Sequence, residues 1–141
     1  MVDRPFYEQI DHTADLGIHV YGQSATALFQ NAAMALMDVM VETALVAARQ
    51  EMQTTIEGRD WPDLMVNWLR EILYLWSGKA VLVHSVQIAS ITENRLSARI
   101  WVDPFSKKHH TLTAEIKAVT YHQARVWDVD DQWEATIIFD T

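Results

Sequence analysis

The residues best suited to chemistry sit in one short stretch, Asp11-His12-Thr13-Ala14-Asp15-Leu16-Gly17. Two carboxylates, an imidazole and a hydroxyl fall between Asp11 and Asp15, and the chain then passes into the apolar alternation of a strand. Polar groups this dense are poor material for a core, where each needs a partner, and good material for a surface site. At the far end of the sequence, Ile137-Ile138-Phe139 runs into Asp140 and then Thr141, the last residue. If the two ends meet, Asp15, Asp140 and the Thr141 carboxylate form one acidic pocket. Hard oxygen donors of this kind suit Ca²⁺, Mg²⁺ or Mn²⁺ rather than zinc. A cation there would also relieve the repulsion between neighbouring carboxylates. The plainer reading makes Asp11 and Asp15 turn caps and Asp140 a frayed end; nothing local in the sequence decides between them.

Three further residues carry weaker signals. Lys117 falls on the polar face of an expected strand, either as a solvated lysine or as a charge facing the acidic pocket or a partner. His122 follows Thr120-Tyr121 at that strand's end, where holding a turn is its simpler role. His109-His110 is a poor metal pair, because neighbours on an extended chain point opposite ways, and Ser106 to His110 reads as a flexible, basic loop. A Gly-rich phosphate loop, a Gly-x-Ser-x-Gly elbow and a His-Glu-x-x-His helix are all missing from the sequence. A self-contained hydrolase or nucleotide-binding enzyme therefore has little support.

The elements that must position these residues are legible in outline. Phe6 to Ile10 reads as a first strand, and Leu16, Ile18 and Val20 alternate along a second that Gly22 closes. Ser24 is a natural N-cap for a helix from Ala25 to Met40, whose Met-rich stripe reads as a core face. Val41 to Gln50 stays open between helix end and loop, and Met52 to Glu57 reads as a strand. Asp60 and Pro62 announce a second helix, with Leu64, Trp68, Ile72 and Trp76 at helical spacing and Gly78 as its C′ residue. Strands are expected at Val81 to Ile88, at Leu96 to Val102 up to a break at Asp103-Pro104, and from Leu112 to Ala118. A last hairpin, Gln123 to Val129 and Trp133 to Phe139, turns at Asp130-Asp131. The order predicts one α+β domain over residues 1–141: a two-layer sandwich with two helices packed on a mainly antiparallel sheet.

Composition narrows the classes. At 141 residues, half of them hydrophobic, the chain can bury a core without staples, and it has no cysteine to form disulfides or thiolate sites. Nineteen acidic residues against eleven Lys and Arg give a net charge of −8, so strong direct nucleic-acid binding is not expected, though a local basic patch is compatible with it. With neither a leader-like start nor an apolar run of spanning length, a soluble, cytoplasmic protein is expected, away from membranes.

The opening motif, Asp11 to Gly17, resembles the signature of the archease family. Glu115-Ile116-Lys117-Ala118-Val119-Thr120-Tyr121-His122 and the terminal Ile138-Phe139-Asp140 match that family's closing motifs in the same order, and Val66 to Leu75 of the second helix is similar too. The resemblance implies a compact domain containing a strand-helix-strand-strand unit. It also implies an accessory protein, not an enzyme: archeases act as cofactors of the RtcB-type ligase that seals tRNA halves with GTP and Mn²⁺, promoting guanylylation of the ligase and repeated turnover. The family's metal site falls here on Asp15, Asp140 and Thr141, and its functional lysine on Lys117; His12 and His122 lie within the matching motifs as partner-facing candidates. Thr141 stands where the family more often has a β-branched aliphatic residue, which a backbone or terminal ligand tolerates. A second role suggested for the family is that of a chaperone-like module for a tRNA-modifying methyltransferase.

Overall fold

The protein is described by a computed structural model, which covers the backbone of residues 5–12 and 15–141, and the side chains of these residues apart from Asp11 and His12. Along the chain run β1 (Tyr7–His12), β2 (Asp15–Gly22), α1 (Ala25–Met40), a 3-10 turn (Thr43–Leu45), β3 (Gln50–Glu57), α2 (Trp61–Lys79), β4 (Val81–Thr92), β5 (Arg95–Pro104), β6 (Ala118–Val119), β7 (Arg125–Val129) and β8 (Gln132–Asp140). The strands form two antiparallel sheets. One is ordered β1-β2-β8-β6, with β7 sharing β8; the other is β3-β5-β4. β3, α2, β4 and β5 make the expected strand-helix-strand-strand unit. The architecture is α+β, two helices packed on antiparallel sheets, with the strands divided between two sheets rather than gathered in one.

Local chemistry explains both helices. Ser24 caps α1 by accepting the Ala27 N–H at 3.0 Å, and Asp60 caps α2 by accepting the Asp63 N–H at 2.9 Å. The α1 stripe Leu28, Phe29, Ala32, Ala33, Leu36, Met37 and Met40 is buried, as are Leu64, Trp68 and Ile72 of α2. They meet the inward residues of β2 and β8, namely Ile18, Val20, Ala135, Ile137 and Phe139, together with Leu82, Leu96, Ile100 and Val102 of the smaller sheet. Complete burial of a side chain such as Phe29 contributes roughly 1.5–3 kcal/mol. The buried Trp68 indole N–H donates to the Phe29 carbonyl at 2.8 Å, tying the two helices together without leaving a polar atom stranded.

Three expectations are corrected. Gly78 does not end α2: the helix runs to Lys79, and Ala80 takes the left-handed conformation at φ 54°. Gly78 is instead a close-approach residue, since a Cβ there would lie 2.2 Å from the Tyr74 ring. β5 runs two residues past its expected end at Val102, through Asp103-Pro104, with Pro104 opposite Val81. The alternation from Leu112 to Ala118 forms a strand only at its end. Its first part caps α1 instead: the Thr113 N–H donates to the Met40 carbonyl and the Thr113 hydroxyl to the Val39 carbonyl, both at 2.8 Å. Those are the carbonyls a helix end leaves unpaired, and they outcompeted sheet pairing. The last hairpin turns as expected, with Asp130 and Asp131 at φ 52° and 62°, the left-handed pair of a type I′ turn that aspartate tolerates.

Candidate metal and partner site at one end of the larger sheet

The β2–β8 ladder settles whether the two ends of the sequence meet. Leu16 pairs with Phe139, so Asp15 and Asp140 stand one rung beyond, at the same end of adjacent antiparallel strands. Leu16, Ile18 and Val20, like Ala135, Ile137 and Phe139, face the helices, so alternation turns Asp15 and Asp140 to the outward face. Opposed residues in such a pair keep their Cβ atoms about 4.5–5.5 Å apart, close enough for two carboxylates to share a cation. Asp15 is half-buried, while Asp140 and Thr141 are exposed.

Flanking strands bring the other candidates to this end. β1 places His12 opposite Asp15 in the backbone register. On the other side, Ala118 pairs with Asp140, and the Lys117 N–H donates to the Asp140 carbonyl at 2.7 Å. The Lys117 side chain is exposed. Thr13 and Ala14 of the opening motif, and the His12 side chain, lie outside the described residues. His122 belongs to the turn after β6, where its N–H donates to the Thr120 hydroxyl at 3.3 Å.

The donor set is of the type that suits a hard cation and would leave one incompletely held. Two aspartates and Thr141 supply oxygens only, and among the described residues no three His, Cys, Asp or Glu side chains gather around one point. Calcium takes about six to eight oxygens and magnesium about six, so much of the coordination sphere must come from water or another molecule. The glycine of the motif has a structural cause in the same place. A Cβ on Gly17 would lie 2.9 Å from Ile138 Cδ1, and its absence lets Ile138 pack against β2 on the outward face. Ile138 also lines a cleft of about 390 Å³ there, with Ile10, Gln123, Arg125 and Thr136.

Two polar clusters escaped the sequence reading. In one, the Tyr121 hydroxyl donates to Asp63 Oδ1 at 2.7 Å, Arg70 lies 4.6 Å from the Tyr121 ring centre, and Arg70 Nε–H donates to the Val119 carbonyl at 3.1 Å. This pins β6, and with it the backbone beside Asp140, to α2. The Tyr121 hydrogen bond holds the Asp63 carboxyl below its ordinary pKa, and the same bond raises that of Tyr121. In the other, the buried Asp103 accepts from the Ala47 N–H at 2.8 Å and from His110 Nε2 at 2.9 Å, and forms an ion pair with Arg49, whose Nε lies 3.1 Å from its other oxygen. Burial pushes the Asp103 carboxyl up, but Ala47, His110 and Arg49 outweigh it and hold it below the ordinary value. His110 Nδ1 accepts the Ser106 N–H at 2.9 Å, so both ring nitrogens are engaged within the cluster. The sequence hid this pair because Asp103 looked like a strand breaker and His110 like part of a flexible loop.

Fold and site define a class: a small α+β protein that presents oxygen donors and a lysine at an exposed sheet end. Residues 7–141 match the profile of the Archease protein family (MTH1598/TM1083). The chain is 32% identical over 137 residues to the archease of Archaeoglobus fulgidus, covering 95% of this chain and 98% of that one. With the Methanosarcina mazei archease it shares 31% over 138 residues, 95% and 94% of the two chains. The solution structure of Methanobacterium thermoautotrophicum protein 1598 superposes with a TM-score of 0.79 at 30% identity, over 96% of this chain and 99% of that one. An archease from Thermotoga maritima, described as a possible chaperone, shares the fold with a TM-score of 0.64 at 19% identity, over 100% and 98% of the chains. The chain belongs to the archease family. No helix among the described residues is long and apolar enough to cross a membrane.

Proposed function

We propose that this chain is an accessory factor of an RtcB-type RNA-splicing ligase, promoting its GTP-dependent guanylylation and repeated turnover in tRNA splicing or RNA repair. The observation that carries the reading is the meeting of Asp15 and Asp140 one rung beyond Leu16↔Phe139. Asp15, Asp140 and Thr141 would hold a divalent cation, Mn²⁺, Mg²⁺ or Ca²⁺, whose chemistry is to neutralise phosphate charge. The protein's own part is positional. Strand pairing fixes both aspartates before any partner arrives, so little conformational freedom is lost on docking. Lys117, held against Asp140 through its backbone, presents a cation at the same end for a phosphate or an acidic group of the partner. The chain's net charge of −8 favours approach to a basic, RNA-binding enzyme.

Ligase guanylylation with GTP and Mn²⁺, measured with and without the protein, tests the proposal. Stimulation that disappears in a folded Asp15→Ala variant supports it. A wild-type protein that leaves guanylylation unchanged but keeps a tRNA methyltransferase in solution would replace it with the chaperone role.

A further inference from the structure

The β2–β8 register closes at Leu16↔Phe139, one rung short of Asp140, and among the described residues the strand that pairs with Asp140 is β6. Ala118 stands opposite Asp140, and the Lys117 N–H donates to its carbonyl. β6 spans only Ala118–Val119. A ladder so short cannot order itself against the conformational entropy it costs. Burial of Ile116 and Val119 anchors the segment in the core, but apolar contact is non-directional and does not aim a neighbouring backbone. Two directional contacts to α2 do. Arg70 Nε–H donates to the Val119 carbonyl at 3.1 Å, and the Tyr121 hydroxyl donates to Asp63 Oδ1 at 2.7 Å, with the Arg70 guanidinium 4.6 Å from the Tyr121 ring centre. Asp63 is a fixed anchor, buried in the first turn of α2 and accepting the Arg59 N–H at 2.9 Å. From the same segment, the Thr120 N–H and hydroxyl both donate to the Ile138 carbonyl, at 3.1 and 2.9 Å. Contacts therefore run from α2 through residues 117–121 to the last residues of β8. Tyr121 is 47% exposed, so deleting its hydroxyl removes this link with little loss of packing.

We propose that Arg70 and Tyr121 are positioning residues for the acidic end of the larger sheet. Acting through β6, they fix the backbone of Asp140 and Lys117, and so the place of Asp140 and Thr141 as oxygen donors beside Asp15. The buried run of β8 stops at Phe139 and both later residues are exposed, so packing of their own side chains does not aim them. The cation-holding part rests on the metal reading above; the placement of Asp140 stands on the strand pairing and the contacts to α2. Ligands aimed by outer contacts bind metal less tightly once those contacts go, even with every donor still present.

Two readouts on the full chain separate placement from stability. In metal-free amide hydrogen exchange, Arg70→Gln/Tyr121→Phe speeds exchange at Lys117 and Thr120 roughly tenfold and leaves Ile18, in the middle of β2, unchanged. Mn²⁺ binding, followed by electron paramagnetic resonance, weakens about tenfold in the same double variant and about threefold in Tyr121→Phe alone. Asp15→Ala abolishes it. Asp103→Ala, at the end of β5 in the other sheet, is the control: it unfolds at lower urea yet keeps wild-type exchange at Lys117 and wild-type Mn²⁺ affinity. Should the double variant not fold, Tyr121→Phe carries the test, at about threefold in each readout. Unchanged exchange at Lys117 and Thr120, unchanged Mn²⁺ affinity, or an equal loss in Asp103→Ala overturns the proposal. A wild type that takes up no Mn²⁺ fails the metal reading, and amide exchange then decides the placement of Asp140 by itself. Neither readout uses the ligase, so a chain that passes both and does not stimulate guanylylation fails the ligase reading alone.

Discussion

Asp103 and Asp140 are both carboxylates at strand ends, and the fold treats them in opposite ways. Asp103 is buried, and its carboxylate is taken up by the chain itself: two hydrogen bonds, from Ala47 and His110, and an ion pair with Arg49 at 3.1 Å. The cluster is closed, and its work is to join the segment before β3 to the turn after β5. At the sheet end, the chain fixes the backbone and leaves the carboxylate of Asp140 facing solvent. A carboxylate satisfied by its own fold contributes stability, whereas one set in place and turned outward is available to something else.

Substitutions sharpen that contrast. The largest expected effect is functional: Asp15→Ala or Asp140→Ala removes stimulation of the ligase, by two orders of magnitude or more, and the exposed Asp140→Ala change leaves the melting temperature within a degree or two. Asp103→Ala does the reverse. It strands the buried His110 and the Ala47 N–H and costs about 3 kcal/mol, visible in urea unfolding, while stimulation persists under folding conditions. A large functional loss in Asp103→Ala at full stability would erase the distinction. Acid gives a third test. Asp103 and Asp63 have folded pKa values depressed below their ordinary 3.8. Their contribution is therefore present above that value and lost as pH falls through the folded values, so the unfolding free energy drops below about pH 4. In Asp103→Asn part of that acid dependence disappears. Gly17→Ala, which presses on Ile138 beside the aspartates, costs roughly 1 kcal/mol and weakens stimulation several-fold. Smallest is Asp131→Gly, which relieves a left-handed aspartate and stabilises by about 0.5 kcal/mol in the same unfolding assay.

Much of the scaffold was legible because its signals are local. Ser24 and Asp60 announced their helices, and the stripe from Leu28 to Met40 could only face a core. The Asp130-Asp131 turn was placed by the strands on either side. What stayed hidden depends on partners remote in sequence. The segment from Leu112 alternates like a strand, but the carbonyls of Val39 and Met40 decide its fate. Gly78 carries the composition of a helix end, and only the Tyr74 ring four residues back shows why it lies inside the helix. For the site, residue types and motif order named Asp15, Asp140 and Lys117, but no local pattern could say that β2 and β8 are neighbours. Asp103 and His110 stand seven residues apart across a turn rather than along one helix or strand, so no periodic element gives the pair away.

The most direct test of the central claim is the rate of ligase guanylylation with GTP and Mn²⁺, comparing wild-type protein, Asp15→Ala and Asp103→Ala at equal folded concentration. The account predicts stimulation by wild type and Asp103→Ala, and none by Asp15→Ala. Equal stimulation by all three would contradict it.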